Sequence, residues 1–410
     1  MSTGFVDSSD PGAAGIGSLP LSAAMMPAAG GEVCQVYCNG QIFEGWTRVS
    51  VVRSVQGAAS RFRLTVTEAN DAAGAVLAWQ IRCGDPISIK LGGVKALTGY
   101  VDVRQAAYDA ENHGVEIEGR SLTQDVIDSS AVKKDGGPVG PYRGYKLDEI
   151  VRALLSPFGI GLRIIGDVGA AIPMVSVQFG ETIFEVIERL ARLRGFNIHD
   201  DADGNLVLAR SAKTTLSAGL VEGVNIKRAN GTQDVSQVVS DLFIAGSTTG
   251  DDDASGADVS GESAKASNGN VQRYRPRAMM LEQPGTKDDM KVRANREMAQ
   301  LAADTARVSV TVYGWRMADG RLWEPRDVVQ VTSPMLLIDR QMAVFSVEFT
   351  QDDQGGTESI LDLVVPESLD PNAPADQATP PSTEDGSDGG DAGEDTVADN
   401  WSIRSTGAAA

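Results

Sequence analysis

DPISIKLGGVKALTGYVDVRQAAYDAENHGVEIEG, residues 85–119, carries one hydrophobic period from end to end. Ile87, Ile89 and Leu91 alternate with Ser88 and Lys90, and Gly92-Gly93 marks a turn. Val115 and Ile117 restart the alternation after the acidic turn YDAENHG. Period two broken by tight turns predicts a meander of half-buried strands. RFRLTV (61–66) repeats the pattern upstream, with Phe62, Leu64 and Val66 set against Arg61, Arg63 and Thr65. Turn signals at such short, regular spacing belong to a barrel or a sandwich, so residues 32–130 read as a first all-β domain.

The same order of pieces returns about 240 residues later. DVVQVTS runs through a turn to AVFSVEF, then through the acidic turn TQDDQGG to SILDLVV. Asp85 aligns with Asp327, Val101 falls near Val347, and Ile117 near Leu361. Identities are few, but the order predicts a second barrel of the same topology over residues 217–366. A helical segment at 288–306 interrupts this region.

Between the two β regions, residues 145–212 change period. YKLDEIVRALLSPFGI places Leu147, Ile150, Val151, Leu154 and Leu155 on one helical face, and Ser156-Pro157 stops it. In the next helix Thr182 and Glu185 have capping-box spacing, and Ile183, Ile187, Leu190 and Ala191 form the buried stripe. Gly195 closes that helix, Phe196 and Ile198 begin a strand, and Leu206 and Leu208 lie on its partner. The pattern is a small α+β module.

The acidic knot DDADGN (200–205) lies between those two strands and raises the question of a metal site. A calcium loop needs ligands at alternate positions and glycine at the sixth. Counted from Asp201, the acids at Asp201 and Asp203 and the amide at Asn205 fit, but the sixth residue is Leu206 and the twelfth is Ala212. Asp203-Gly204 therefore predicts a hairpin turn. GIGLRIIG (159–166) follows a helix instead of a strand and lacks dinucleotide-loop spacing. No GxxxxGK[ST], GxSxG or HExxH occurs. His113 and His199 are expected at the surface, one in a turn and one at a strand end. Cys34, Cys38 and Cys83 lack metal-ligand spacing and are expected to be buried or half-buried thiols. Catalytic, cofactor and metal residues are therefore expected to be none.

The chain of 410 residues has a net charge of −20, which repels phosphate backbones and argues against specific nucleic-acid binding. Two acidic stretches, 247–270 and 367–410, have few large apolar side chains and predict a mobile insert and a disordered tail. The tail holds roughly ten acids, about half of the net charge. Deleting everything from 367 is expected to leave the fold intact. Residues 1–31 have no Lys or Arg and read as a disordered arm. No apolar run approaches the roughly 20 residues of a membrane helix, so a soluble protein made in the cytoplasm is expected, with no membrane insertion.

GWTRVSVVRSVQGAASRF, WQIRCGD, LTGYVD and VEIEGRSLTQDVIDSSA resemble, in that order, the first barrel of the baseplate hub proteins of Mu-like contractile-tailed phages. PFGI, GETIFEVIERLARLRGF and DADGNLVLAR resemble their small middle domain, and YGWRMADGRLWEPRDVVQV their last barrel. The resemblance covers about residues 32–366 and extends to the hub modules of type VI secretion spikes. It implies a β-rich α+β fold of two tube-protein-like β-barrels flanking the small module. It also implies a non-enzymatic homotrimer, a ring joining the six-fold tail tube to the three-fold central spike and carrying the baseplate wedges, with the tape measure protein a further candidate partner. The implied location is the tail baseplate of the virion. Interface candidates are Trp46, Trp79, Trp315 and Trp323, each beside a predicted strand, together with Tyr100 and Arg120. The competing class is a β-rich tail protein that binds or degrades the host wall. The absent catalytic motifs and the order of domains favour the structural reading.

Overall fold

The computed structural model describes residues 32–369 apart from 56, 68–79, 109–112, 211, 213–214, 217–218, 247–262, 270, 281–286, 304–305 and 353–354. The arm 1–31, most of the expected insert and the tail from 370 lie outside the described residues. The first region contains β1 (Cys34–Cys38), β2 (Gln41–Phe43), β3 (Arg48–Ser54), β4 (Arg61–Thr67), β5 (Pro86–Leu91), β6 (Val94–Tyr108) and β7 (His113–Ser121). After the short helix α1 (Gln124–Asp128) the module supplies β8 (Tyr142–Tyr145), α2 (Leu147–Leu155), β9 (Leu162–Ile165), β10 (Ile172–Val175), α3 (Ile183–Leu193), β11 (Asn197–Asp200) and β12 (Leu206–Ala209). The last region runs β13 (Leu220–Val221), β14 (Ile226–Gln233), β15 (Asp241–Ala245), β16 (Ser263–Ser267), β17 (Pro276–Met280), α4 (Lys287–Ala303), β18 (Ala306–Tyr313), β19 (Val328–Ser333), β20 (Ile338–Asp352) and β21 (Gly356–Val364).

The expectation of two closed barrels is corrected. Strands from both β regions form one open 13-stranded sheet, ordered β14-β18-β21-β20-β3-β4-β7-β6-β5-β1-β2, with β19 also on β20 and β13 on β19. The end strands β14 and β2 do not meet. Alternation and turn spacing decide which strands are neighbours, but closure requires the two end strands to hydrogen-bond to each other. Here the regions fuse instead, because β3 pairs antiparallel with β20 from Arg48↔Asp352 to Ser54↔Ser346.

The expected duplication is nevertheless visible strand by strand. In the first region the hydrogen-bonded order is β5-β6-β7-β4-β3, and in the second it is β19-β20-β21-β18-β14. Chain order matches as well, so β3 to β7 correspond to β14, β18, β19, β20 and β21. The long strands β6 and β20 are both 15 residues, and each slips register once against its partner, at Val101/Val103 and at Val344/Ser346. The structural match for Val101 is thus Val344, three residues from the position read from sequence, whereas Ile117 and Leu361 do correspond.

The corners entering β5 and β19 repeat bond for bond. Asp85 Oδ2 accepts the Arg82 N–H at 2.8 Å, the Gly84 N–H donates to Val101 O at 2.7 Å, and the Val101 N–H to Asp85 O at 3.1 Å. Asp327 Oδ2 accepts the Glu324 N–H at 2.9 Å, the Arg326 N–H donates to Val344 O at 2.7 Å, and the Val344 N–H to Asp327 O at 2.8 Å. Both corners need a left-handed residue, Gly84 at φ 86° and Arg326 at φ 75°. Glycine adopts that conformation without strain and arginine does not, so the second corner is held by its burial and its bonds.

Inward-facing side chains of both repeats share one core that includes Phe62, Leu64, Ile89, Trp315, Trp323 and Phe349. The module has its own core around Leu147, Ile150, Leu154, Ile187 and Leu190, and Thr182 caps α3 by accepting the Glu185 N–H at 3.1 Å. Part of the expected insert is ordered. Ser263–Ser267 pairs with β15, and β17 completes a small sheet on which α4 packs through Met290, Ala294 and Met298. The first described residues of the expected tail are structured: Pro366–Leu369 forms a 3-10 turn and Leu369 is buried. Two more corrections concern single residues: His199 is buried, and Cys83 is exposed while Cys34 and Cys38 are buried.

Candidate assembly interface

Three of the six interface candidates are core residues of the single chain. Trp46, Trp315 and Trp323 are buried, and Trp315 is held from both ends. Its Nε1–H donates to Thr350 O at 3.0 Å and its backbone N–H to Glu32 Oε2 at 2.7 Å. Trp79 lies outside the described residues. Tyr100 is half-buried in β6, opposite Pro86 and Arg120. Arg120 makes a two-pronged contact with Asp128, 3.2 and 2.7 Å, and its Nε–H donates to Asp102 at 2.8 Å. Asp102 is the extra residue of the β6 bulge, so Arg120 ties that bulge to α1 and hence to the module.

The acidic knot is the joint between module and sheet. Its three aspartates face three different partners. Asp200 is buried, and its carboxylate accepts from Ser60 Oγ at 2.7 Å and from the Ser60 N–H at 3.1 Å. Burial pushes its carboxyl above the usual range, although Ser121, Arg53 and Ser60 pull it back in part. Asp201 closes the turn by accepting the N–H groups of Asp203 and Asn205, each at 3.0 Å. Burial alone would raise its carboxyl, but Asn205, Arg163 and the turn N–H groups outweigh it and hold it low. Asp203 pairs with Lys95 of β6 at 2.7 Å, and Thr98 Oγ1 donates to Ala202 O at 2.9 Å. The sequence reading of a hairpin turn holds, and among the described residues no three His, Cys, Asp or Glu gather as a metal-binding group.

The residues that sequence reasoning missed lie on strand edges. β3 is interior, with Val49, Val51 and Arg53 buried, whereas its counterpart β14 pairs among the described residues only with β18 and exposes Arg228, Asn230, Gly231 and Thr232. The far half of β20 is sandwiched between β21 and β3 and buries Val347 and Phe349. The equivalent half of β6 has β7 on one side and no described strand on the other. There Gln105, Ala106 and Ala107 are exposed, and Tyr108 is 82% exposed. Neither edge is marked by a motif; the alternation of apolar residues reports the faces of a strand, not its edges. Among the described residues no helix is long and apolar enough to cross a membrane.

Three family models match in succession. Residues 33–121 match the N-terminal domain of the Mu phage baseplate assembly protein GpP-like family. Residues 123–210 match the second domain of baseplate hub protein gp44-like proteins, and 286–372 the fourth domain of the Mu phage baseplate assembly protein GpP. The chain is 28% identical over 335 residues to the baseplate hub protein gp44 of Escherichia phage Mu, covering 79% of this chain and 86% of that one. Its fold is similar to the 43 kDa tail protein of prophage MuSo2 from Shewanella oneidensis, with a TM-score of 0.71, 27% identity, and coverage of 82% and 99%. A tail protein from Neisseria meningitidis MC58 shares the fold at a TM-score of 0.70 and 18% identity, covering 83% and 99%.

Proposed function

The chain belongs to the baseplate hub proteins of Mu-like phages, and from that premise we propose that three copies form the ring between tail tube and central spike. The protein is a structural component of the phage tail baseplate, and its role is assembly, not catalysis. The trimer, the six-fold tube above it, the three-fold spike below it and the wedge proteins around it are the finer part of the reading. So is the division into functional units 32–130, 145–212 and 217–366, with Tyr100 and Arg120 as the solvent-reaching candidates for partner contact.

The observation that supports the ring is the duplicated five-strand unit. A chain that offers the same unit twice presents six similar units when three copies close, and six units match a six-fold tube. The joint at Asp200, Asp201 and Asp203 fixes the module against the first unit, so the ring and its peripheral module move as one body. Native mass spectrometry of the purified chain, alone and with its tube and spike proteins, tests the copy number. Three copies are expected; a stable assembly of two, four or six overturns the symmetry match.

A further inference from the structure

A cavity of about 400 Å³ opens between α3 of the module and α4 of the last region. Three arginines meet there, Arg192 from α3 and Arg293 and Arg296 from α4, in a chain whose net charge is −20. Two of them have a carboxylate one helical turn away. Arg192 pairs with Glu188 at 3.3 Å and Arg293 with Glu297 at 2.8 Å. Arg296 has no such partner among the described residues. Its guanidinium donates to the carbonyl oxygens of Phe196 at 3.3 Å and Arg192 at 3.5 Å, which carry no formal charge. Burial and the neighbouring Arg293 and Arg192 push it down to about 10, against the opposing pull of Glu297 and Glu188. The cavity therefore holds one more cation than anion, partly out of water, where an added carboxylate gains most.

The chain itself arrives at this cavity. Asn197, part of its wall, donates from Nδ2 to the carbonyl oxygen of Leu369 at 3.0 Å, and the turn Pro366–Leu369 lies against α4. The next residue is Asp370, and the sequence continues as DPNAPAD to Asp376, with no Lys or Arg before Arg404. We propose that the cavity between α3 and α4 is a carboxylate-binding site whose occupant is segment 370–376, its two aspartates supplying the carboxylates for Arg296 and its neighbours. The proposal goes beyond the hub reading and does not depend on copy number.

Three physical reasons favour this occupant. A guanidinium offers a planar fork of N–H donors that a carboxylate matches with two parallel bonds. Leu369 is buried among Val55, Val328, Ala343 and Val364, so one end of the segment is fixed at the cavity wall. A tethered ligand of this kind is presented at an effective concentration on the order of mM, so even a weak pair is populated. Reach is sufficient as well, because Asp376 stands seven residues past Leu369 and can extend up to ~25 Å from it. Pro371 and Pro374 reduce the chain entropy lost when the segment is held.

The test is spin-label mobility in the full chain. Cys83→Ser removes the exposed thiol, Cys34 and Cys38 are buried, and Ala375→Cys carries a nitroxide within the segment. At low salt the label is expected to show an immobilised spectral component. Asp370→Asn combined with Asp376→Asn should lose that component, as should Arg296→Gln, and about 1 M salt should remove it by screening. Glu384→Gln combined with Asp385→Asn should keep it, since those acids lie beyond the segment. Circular dichroism checks Arg296→Gln for folding, because Arg296 also bonds the end of α3. The aspartate pair reads the site independently of that variant. A label that is mobile at low salt overturns the proposal. So does an immobilised component that survives neutralisation of both aspartates or persists in folded Arg296→Gln. The hub reading stands under any of these outcomes.

Discussion

Asp200 concentrates the residue-scale physics of the joint. Its carboxyl is raised in the folded chain by burial, so the folded state holds the proton more tightly than the unfolded state. Such a group contributes most at low pH, and that contribution is lost as pH rises from the ordinary Asp value near ~3.9 through the raised folded value. Urea midpoints of the wild type and Asp200→Asn, measured from about pH 3.5 to 7.5, should therefore diverge. The wild type loses stability relative to the variant as pH rises; a constant gap would show that Asp200 does not titrate across this window. Gly204 is the second test. It sits at φ 83°, and a Cβ there would come within 2.7 Å of Leu122 Cδ1. Gly204→Ala is expected to cost about 2 kcal/mol in denaturant unfolding, from left-handed strain and the overlap with Leu122. An unchanged midpoint would mean that the turn swings away from the sheet.

Among the elements, the turn at Pro366–Leu369 is the last one described, and it is packed against the rest of the chain. Leu369 packs with Val55, Val328, Ala343 and Val364, and its carbonyl accepts from Asn197 Nδ2 at 3.0 Å. It therefore links the last strand to the module. Leu369→Ala should cost about 2–3 kcal/mol, the lower part of the range for buried leucine truncation. Thermal unfolding checks it, and a shift under 1 °C would place Leu369 outside the cooperative unit. Composition alone put this residue in the polar tail, because one leucine among acids and prolines has no visible partner. Ser263–Ser267 was hidden for the same reason. Alanine carries little hydrophobic signal, yet Ala264 and Ala266 are buried beneath the methionines of α4.

For the whole molecule, charge and symmetry act together. The net charge of −20 per chain repels phosphates, so the proposed ring would let an exiting genome slide instead of stick. The purified protein is expected to leave duplex DNA unshifted in a gel at physiological salt. A salt-sensitive shift would count against a DNA-conducting ring.

The sequence by itself determined the local structure. Alternation at Phe62, Leu64 and Val66, the capping box at Thr182 and Glu185, and Asp203-Gly204 at a turn all act over a few residues, so their meaning is carried in the chain. Even the duplication was legible as an order of pieces, because each repeat keeps its own turns. What only the tertiary structure decided is long-range. Whether the sheet closes, that β3 pairs with β20 across roughly 300 residues, and that the DDADGN turn seats on Ser60, Lys95 and Thr98 depend on backbone edges and distant partners. Side-chain periodicity reports which face of a strand is buried; backbone N–H and C=O groups are the same at every residue, so which edge a strand offers, and to whom, is settled only when the strands are placed.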